Sequence, residues 1–502
     1  MDQQPPPATT HAVQPIGAAA ASFLAAGPKK LLIDGAWCAA RSGKLFETYN
    51  PASGAVLGEA ASGDKADVDA AVAAARKAFD DPAWSGMSPH ARTRLLLRIA
   101  DRVEANLEEL AQIESLNNGT PLSLARLMIA GVAETFIYYA GWSTKIYGET
   151  NPGTPDLLNY TLRQPVGVCG HIIPWNGPLT SAAWKIAPAL AMGNTVILKP
   201  AEQTPLSAVR FAELLIEAGV PDGVFNLITG YGETAGAAIA GHPGIDKVGF
   251  TGSTEVGKKI LIASAGNLKR VTLELGGKSP NIIYPDADLD AAAAATLMGF
   301  CFLSGQICVA ASRVLVHRSV HDEFAHKLAE LTKTLVIGDP FDPATTMGPL
   351  ASREQFERVK SYFHIGRADG ARVVTGGAAI ERAGYFVQPT VFGDVDNAMR
   401  IAREEVFGPV TTLIAFDTEE QALRIANDTD YGLAGAVWTR DLATAHRNAR
   451  LLNAGTVWIN TYAHTDLISP FGGLKQSGIG RELGRHALDA YTEVKSVFAK
   501  LG

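Results

Sequence analysis

Residues 166–200 read VGVCGHIIPWNGPLTSAAWKIAPALAMGNTVILKP, which is two apolar runs separated by a helical pattern. Three further apolar runs follow: GVFNLITG at 223–230, DKVGFTGS at 246–253 and KRVTLELGG at 269–277. A helical pattern follows each of the first four runs. Such alternation predicts parallel strands that helices cover on both faces. The predicted fold class is therefore α/β, with a doubly wound parallel sheet of the nucleotide-binding kind.

The segments outside this sheet differ in character. Helical spacing dominates at 65–80 and 91–114, and a second series of strands and helices follows residue 279. The polar, proline-broken segment 147–166 and the alternating C-terminal segment could reach a neighbouring subunit. The predicted organisation is a disordered tail (1–27), a cofactor-binding domain (28–146 and 167–276), a second α/β domain that we expect to be catalytic (277–476) and an oligomerisation arm (147–166 and 477–502).

Composition and charge exclude several classes of protein. Apolar residues make up 47% of the 502 residues and charged residues 19%, as in folded globular proteins. The net charge is −7 and no basic run occurs, so nucleic acid is not expected as a partner. The apolar stretches contain charges or are shorter than the roughly 20 residues that span a membrane. No membrane partner and no N-terminal targeting signal are expected.

Four cysteines occur without CxxC or Cys/His ligand spacing. This usage argues against a disulfide framework and against a structural metal site. It favours a reducing, cytoplasmic location.

Glycines and a serine follow two of the strands. Gly230, Gly232 and Gly236 form GxGxxxG, one residue longer than the dinucleotide fingerprint, and alone they favour a plain tight turn. Ser253 opens a helix directly after a strand, where free N–H groups could accept a pyrophosphate. A helix-capping role for Ser253 is an equally good interpretation.

Lys199 and Glu202 stand at the carboxyl end of the strand TVILKP, where open α/β sheets bind ligands. A carboxylate there would accept a hydrogen bond from a ribose 2′-OH and repel a 2′-phosphate, which favours NAD over NADP. The alternative interpretation is a pair of ordinary surface charges.

Two residues are candidates for covalent chemistry. Cys308 follows Gly305 on a connection between elements, where a thiol can face a cleft and have its pKa lowered. Cys301, within an apolar helical pattern, is interpreted as core. Glu274 lies in an apolar run, and burial would raise its pKa toward the range useful for a general base.

Seven motifs then occur in a fixed order: PWN (174–176), KPAEQTP (199–205), FTGSTEVG (250–257), LELGGKSP (273–280), GQIC (305–308), EEVFGPV (404–410) and PFGGLKQSGIGRELG (470–484). In this combination the chain closely resembles the NAD(P)-dependent aldehyde dehydrogenase superfamily, of the hydrolytic, non-acylating type. The match runs from about residue 30 to the C-terminus.

The resemblance implies a mechanism. Cys308 would attack the aldehyde carbonyl to give a thiohemiacetal, whose oxyanion is held by the Asn176 amide and the Cys308 N–H. Hydride would pass to the nicotinamide to leave a thioester, and Glu274 would activate the water that releases the acid. Lys185 and Glu482 match positions thought to relay the proton from Glu274.

The resemblance also implies a cofactor site for NAD. Its residues are Ile172, Pro174, Trp175, Lys199, Glu202, Gly232, Gly236, Phe250, Gly252, Ser253, Val256, Leu275, Glu405 and Phe407. We expect a homodimer or homotetramer.

The substrate pocket is expected to be wide, because Gly177 stands where many relatives place a large aromatic residue and Ser181 replaces a longer side chain. Its expected lining residues are Gly177, Ser181, Trp184, Phe302, Ile307, Tyr462, His464 and Phe471. Aromatic walls suit a bulky apolar, aromatic or terpenoid aldehyde. His464 and Asp466 either add a polar contact or face solvent.

The chain also departs from the family pattern. Leu303 stands where relatives usually carry Asn and Ala311 where Gly is common, so the cysteine loop is expected to differ in shape, with an effect on rate. The alternatives are a betaine-aldehyde-like or short aliphatic aldehyde dehydrogenase, a CoA-acylating enzyme, an esterase and a catalytically silent member. CoA-acylating relatives generally lack the glutamate found here as Glu274.

Overall fold

The computed structural model describes residues 13–502. In this range the α-helices are α1 (Ala18–Ala25), α2 (Lys65–Asp80), α3 (Pro82–Ser85), α4 (Pro89–Ala105), α5 (Leu107–Asn118), α6 (Leu122–Ala140), α7 (Pro178–Ala191), α8 (Leu206–Glu217), α9 (Ala237–Gly241), α10 (Thr254–Ser264), α11 (Leu289–Cys301), α12 (His321–Thr332), α13 (Arg353–Ala368), α14 (Arg400–Arg403), α15 (Glu419–Asn427) and α16 (Leu442–Leu451).

The strands are β1 (Leu31–Ile33), β2 (Ala36–Cys38), β3 (Leu45–Tyr49), β4 (Val56–Ala61), β5 (Thr150–Asn151), β6 (Leu157–Pro165), β7 (Val168–Ile172), β8 (Thr195–Lys199), β9 (Phe225–Leu227), β10 (Lys247–Thr251), β11 (Arg270–Glu274), β12 (Pro280–Ile283), β13 (Arg313–His317), β14 (Arg372–Thr375), β15 (Thr390–Gly393), β16 (Val410–Phe416), β17 (Tyr431–Gly432), β18 (Ala434–Trp438), β19 (Thr456–Ile459), β20 (Leu474–Lys475), β21 (Gly478–Ile479) and β22 (Thr492–Lys500).

The five apolar runs form the parallel centre of the first sheet, as predicted. Its strand order is β2-β1-β9-β8-β7-β10-β11-β21, and β9, β8, β7, β10 and β11 are mutually parallel. Strands β7, β8 and β9 are buried along their whole length, which explains their continuous apolar runs. The chain order reverses at β7, so the crevice beyond β7 and β10 is the position where such sheets bind ligands.

The second sheet has the order β14-β15-β16-β13-β12-β18-β19, and only β14 pairs antiparallel. Helices α11 and α12 pack on one face, and α13 and α15 on the other. All its strands lie within 277–476. The sheet therefore forms the core of a second α/β unit, which begins directly after β11.

The predicted arm is a three-stranded antiparallel sheet of β5, β6 and β22. Strand β22 pairs with β6 from Thr492↔Pro165 to Lys500↔Leu157. One part of the predicted boundary is wrong, because β21, at Gly478–Ile479, pairs with β11 in the first sheet.

The predicted disorder of residues 1–27 is wrong for 18–25, which form α1. Phe23 and Ala20 are buried in the main core, where α1 packs on α5. Gly17 N donates to Gln112 Oε1 at 2.7 Å, which fixes the start of the helix. The segment that its composition predicts to be disordered therefore contains one short apolar helix. Residues 1–12 lie outside the described range.

The first quarter is helical, as predicted, with two differences. The helical pattern at 91–114 breaks at Asn106, between α4 and α5. Helix α6 is long and apolar enough to cross a membrane by length and composition, with 44% of its apolar window buried. The sequence did not indicate α6 as a possible membrane span, because Arg126 and Glu134 interrupt its apolar run. Its buried face packs against α4 and α7.

Candidate active site

Cys308 lies on a tightly held loop between α11 and β13. The loop begins with three successive residues in the left-handed region, Leu303 (φ 49°), Ser304 (φ 56°) and Gly305 (φ 71°). Ser304 Oγ donates to the Gly348 carbonyl at 2.8 Å. Leu303 adopts a conformation that Asn tolerates better than Leu, so the backbone of this loop is strained at Leu303.

The environment of Cys308 keeps its thiol protonated. Burial, with added repulsion from the carboxylates of Glu274 and Glu405, raises the pKa of the Cys308 thiol to about 12. The expectation of a lowered pKa is therefore wrong, because burial disfavours the thiolate and the two carboxylates add to that effect. Cys301 is buried in the core, as predicted.

Asn176 lies directly against the cysteine loop. It ends the turn that follows β7 and precedes α7, and its Nδ2 donates to the Gln306 carbonyl at 2.8 Å. Asn118 at the end of α5 donates its Nδ2 to the Asn176 carbonyl at 3.4 Å. The structure thus holds the Asn176 amide against the loop that carries Cys308, although the two residues are far apart in sequence.

Glu274 ends β11 and is 5% exposed. Burial and the nearby charge of Glu482 raise the pKa of the Glu274 carboxyl well above its usual range, while Lys185 and Arg481 oppose this. Its Oε2 is buried without a hydrogen-bond partner. A Cβ at position 472 would lie only 2.7 Å from Glu274 Oε1, so only glycine at this position leaves room for that oxygen. A buried carboxyl with a free oxygen fits a general base.

Lys185 and Glu482 form a buried ion pair beside Glu274. Lys185 Nζ also donates to Thr251 Oγ1 at 2.6 Å. Thr251 pairs directly with Glu274 in the parallel register of β10 and β11. The two residues that the resemblance assigned to proton relay therefore lie next to the candidate base.

The ends of β7, β8 and β10 form the floor of a cleft. Lys199 Nζ binds Glu202 Oε2 at 2.8 Å, with Lys199 buried and Glu202 partly exposed. Burial lowers the pKa of Lys199, and Glu202 opposes that shift. Ile172 is buried at the end of β7, and Pro174 follows it at the rim. The ion pair holds the Glu202 carboxylate at the strand end.

Glycines shape the next part of this cleft. Residues Gly232–Gly236 form one wide helical turn, and a Cβ on Gly232 would meet no atom within 4 Å. A Cβ on Gly236 would reach only Ile172, at 4.0 Å. The space beside this turn, which follows β9 at the carboxyl end of the sheet, is therefore open.

Ser253 caps α10, since its Oγ accepts from Val256 N at 3.3 Å. The capping role left open above is thus present, and it leaves the other N–H groups of the first turn free. A Cβ on Gly252 would approach the Phe250 ring to 2.4 Å, and a buried Leu275 packs under Gly257. This helix start provides an anion-binding end over an apolar floor.

Glu405 and Phe407 cover the other side of the cleft. Glu405 Oε1 accepts from Gly277 N at 3.0 Å, and burial raises the pKa of its carboxyl to about 7. Phe407 (φ 60°) stacks edge-on to Trp175 with ring centroids 5.2 Å apart. Gln355 Nε2 donates to the Phe407 carbonyl at 2.7 Å and holds the loop in place.

These features fit a dinucleotide. The helix start at Ser253 suits a pyrophosphate, and the carboxylates of Glu202 and Glu405 suit two ribose hydroxyl groups. The space beside Gly232 is open, since a Cβ there would meet no atom within 4 Å.

The expected pocket residues surround Cys308 in one apolar cluster, which contains Phe302, Ile307, Trp184, Tyr462 and Phe471. Trp184 and Phe471 meet edge-on at 5.4 Å. Ser181 is half-buried one turn before Trp184.

Two of the expected pocket residues, Tyr462 and His464, differ from the rest of the lining. Tyr462 belongs to the apolar cluster, but its OH is used in a hydrogen bond to the Val309 carbonyl at 2.9 Å. His464 and Asp466 are exposed, and the His464 carbonyl accepts from Trp458 Nε1 at 2.8 Å. The solvent-facing alternative is therefore the observed one for these two side chains.

Sequence reasoning missed Met128 and Leu124, which approach the pocket from α6. A Cβ on Gly177 would lie 3.4 Å from Met128 Cε, so this methionine takes space beside the glycine. Thr251 and Gly472, which lie in the motifs FTGS and FGG, were also missed. The position of Thr251 follows from the parallel pairing of β10 with β11, which places it opposite Glu274.

Comparison with known proteins agrees with this geometry. The sequence model of the aldehyde dehydrogenase family matches residues 37–497. Retinal dehydrogenase 2 of Homo sapiens is 50% identical over 475 residues, which cover 94% of this chain and 92% of that protein.

Solved structures are similar to the same extent. An aldehyde dehydrogenase from Bacillus cereus, solved as an NAD+ complex, has a TM-score of 0.96 and 48% identity, covering 98% of this chain and 100% of that one. AldA indole-3-acetaldehyde dehydrogenase of P. syringae, solved as a mutant with NAD+ and IAA, has a TM-score of 0.93 and 47% identity, covering 94% and 97%. The chain belongs to the aldehyde dehydrogenase family.

Proposed function

We propose that this aldehyde dehydrogenase oxidises a bulky apolar, aromatic or terpenoid aldehyde to its acid, with NAD as cofactor and water as the group that releases the product. The observation that carries the proposal is the arrangement around one loop: Asn176 Nδ2 donates to the carbonyl of Gln306, two residues before Cys308, and the charge of Glu274 acts on the Cys308 thiol. The candidate nucleophile and oxyanion donor are half-buried, and the candidate base beside them is buried.

Each residue has a distinct role. Cys308 Sγ attacks the carbonyl carbon as its thiol proton passes to water, and Asn176 Nδ2 with the Cys308 N–H holds the oxyanion. After oxidation, Glu274 takes a proton from water as the water oxygen attacks the thioester, and the C–S bond breaks with its electrons on sulfur. The retained base supports hydrolysis over transfer to CoA.

The cofactor site is built for NAD. Bound NAD supplies the hydride acceptor. Lys199 holds the Glu202 carboxylate where a ribose 2′-OH would donate to it, and Glu405 would accept from the second ribose. The edge-on contact of Trp175 with Phe407 forms an apolar wall of this site.

The apolar lining of the pocket supports the proposed substrate class. Trp184, Phe302 and Phe471 are aromatic, and Met128 adapts its shape beside Gly177. The carboxylate of Asp466 is exposed, so it does not favour a cationic substrate such as betaine aldehyde. Relatives named for retinal and for indole-3-acetaldehyde, at 50% and 47% identity, support this substrate class more than the betaine aldehyde dehydrogenase at 41%.

A substrate panel tests this proposal. NADH formation is measured with acetaldehyde, hexanal, benzaldehyde, a cyclic terpenoid aldehyde and betaine aldehyde, with NAD and NADP in parallel. We expect kcat/KM to rise with apolar bulk and to be higher with NAD.

Gly177→Phe is the informative variant, because its ring must compete with Met128 for the same space. We expect it to lower kcat/KM for the terpenoid aldehyde at least about tenfold while acetaldehyde is nearly unaffected. A wild type that prefers acetaldehyde or betaine aldehyde would overturn the proposed substrate class.

We also propose that the β5, β6 and β22 sheet joins copies of this chain, and that the enzyme is cytoplasmic. Val494 and Phe498 are exposed on β22, and Leu162 is exposed on β6. Apolar side chains on a projecting sheet favour a partner surface. All four cysteines are free thiols, which supports a reducing compartment.

A further inference from the structure

A column of polar side chains runs down one face of the first sheet, starting from Glu274. Residues in register on parallel strands share a face, so the pairs along β7, β10 and β11 form successive layers. The first layer is Thr251↔Glu274, the second is Gly249 with His171 and Thr272, and the third is Lys247 with Cys169 and Arg270. The column therefore spans the sheet from its carboxyl end to its amino end.

His171 occupies the middle layer, fully buried. Both of its ring nitrogens are buried without a protein hydrogen-bond partner. A Cβ on Gly249 would approach His171 Nδ1 to 2.6 Å, so the glycine leaves the ring its space. Leaving two polar atoms unpaired is costly unless buried water bonds to them.

Charged groups continue the column on both sides of His171. Above it, the charge of Lys185 is close enough to act on the ring, and Lys185 is paired with Glu482. Below it, Lys247 Nζ donates to Thr272 Oγ1 at 2.7 Å and lies 4.7 Å from the centre of the Tyr491 ring.

The lower end of the column reaches the surface. Arg270, next to Lys247 in register, forms an exposed ion pair with Glu493. The groups facing His171 are thus Lys247 from β10, Lys185 from α7, Thr272 from β11, the Tyr491 ring from the C-terminal segment and Cys169 on its own strand. Burial and the two lysines hold the pKa of His171 well below its usual range, so the ring is neutral and can both donate and accept.

We propose that His171, with Thr272 and Lys247, continues the path by which protons leave Glu274 during thioester hydrolysis. This inference rests on the proposed function. One turnover converts aldehyde, NAD+ and water into carboxylate, NADH and two protons, and in hydrolysis one water proton passes to Glu274. That proton moves to the Glu482–Lys185 pair, and His171, bridged by buried water, accepts a proton at one ring nitrogen while the other ring nitrogen releases one toward Thr272. Lys247 releases one of its own protons toward the exposed Glu493 carboxylate and solvent, and then takes the proton that arrives through the Thr272 hydroxyl.

The test separates acylation of Cys308 from deacylation and needs no cofactor. p-Nitrophenyl acetate acylates the thiol and releases nitrophenolate, and the decay of the acetyl-enzyme is then followed by intact mass spectrometry. We expect His171→Leu to slow deacylation at least about tenfold and to leave the acylation burst unchanged. His171→Gln keeps a donor and an acceptor and should deacylate within about threefold of wild type.

Two further variants complete the design. Thr272→Val keeps the shape and removes the partner of Lys247, so it should slow deacylation even if His171→Leu fails to fold. Thr195→Val is the matched control, because Thr195 is buried on β8 outside the column and its hydroxyl has no partner. Its deacylation rate should equal that of wild type.

Several results would overturn the inference: wild-type deacylation in His171→Leu and Thr272→Val, equal slowing of both steps, or equal slowing in His171→Leu and His171→Gln. Glu274→Gln separates the two levels of the proposal. If Glu274→Gln is slow and the column variants are not, the path alone fails. If Glu274→Gln deacylates normally, the proposed hydrolytic function fails as well.

Discussion

At the scale of single residues, the structure places several ionisable groups in surroundings that change their chemistry. Glu114 on α5 is buried, and its Oε2 accepts from Leu179 N at 3.3 Å in the first turn of α7. Burial raises the pKa of the Glu114 carboxyl from 4.5 to about 7. Helix α7 carries Lys185, and Asn176 lies in the turn just before it. The contact of Glu114 with Leu179 therefore helps to hold both of these candidate site residues in place.

Glu114 predicts a pH dependence of stability. Its folded-state pKa is raised, so the stability of the neutral form is present below pH 4.5 and is lost as pH rises through about 7. Glu114→Gln cannot ionise, so its stability relative to wild type should improve by about 3 kcal/mol between about pH 5 and pH 8. Chemical denaturation at both pH values measures this. The exposed Glu104→Gln is the control, and an equal difference at both pH values would contradict the prediction.

Glu202 predicts cofactor preference. Glu202→Gln removes the charge that repels a 2′-phosphate, so the ratio of kcat/KM for NAD to that for NADP should fall at least about tenfold. Glu217→Gln, on the exposed end of α8, should leave the ratio unchanged. An unchanged ratio in Glu202→Gln would remove this residue from cofactor selection.

At the scale of elements, the loop of Cys308 and the loop of Glu405 and Phe407 meet at their backbones. A Cβ on Gly305 would lie 2.2 Å from the Gly408 carbonyl carbon. Since neither backbone atom is flexible, the two loops fix the distance between the nucleophile and the cofactor cleft.

Gly305→Ala should therefore separate the two loops. We expect at least about a tenfold loss of kcat together with weaker NAD binding in calorimetry. Gly370→Ala is the matched control, because Gly370 also has a positive φ (94°) but a Cβ there meets nothing within 4 Å. That variant should lose about 1 kcal/mol of stability and keep its activity. Equal effects of the two variants would show that backbone strain alone is responsible.

Prediction from sequence succeeded where a local pattern decides the structure. Strands β7, β8 and β9 are buried on both faces and β10 nearly so, so apolar continuity alone identifies them. It failed where distant groups decide: the pKa of Cys308 is raised by burial and by the charges of Glu274 and Glu405, which no local spacing reveals. Met128 likewise reaches the pocket only through the packing of α6.

At the scale of the whole molecule, the exposed apolar side chains of the projecting sheet predict an oligomer. Val494→Glu together with Phe498→Glu places charge on β22 and should lower the mass measured by analytical ultracentrifugation. Leu442→Glu, equally exposed on α16, is the control and should not. A wild type that sediments as a monomer would contradict the proposed arm.

We propose above all that Cys308 forms the acyl-enzyme and that Glu274 releases it. The most direct measurement is stopped-flow NADH formation with an aldehyde that the wild type oxidises. We predict that Glu274→Gln shows a single-turnover burst with almost no steady-state rate, whereas Cys308→Ala shows neither. A normal steady-state rate in either variant, or no burst in a folded Glu274→Gln, would contradict the account.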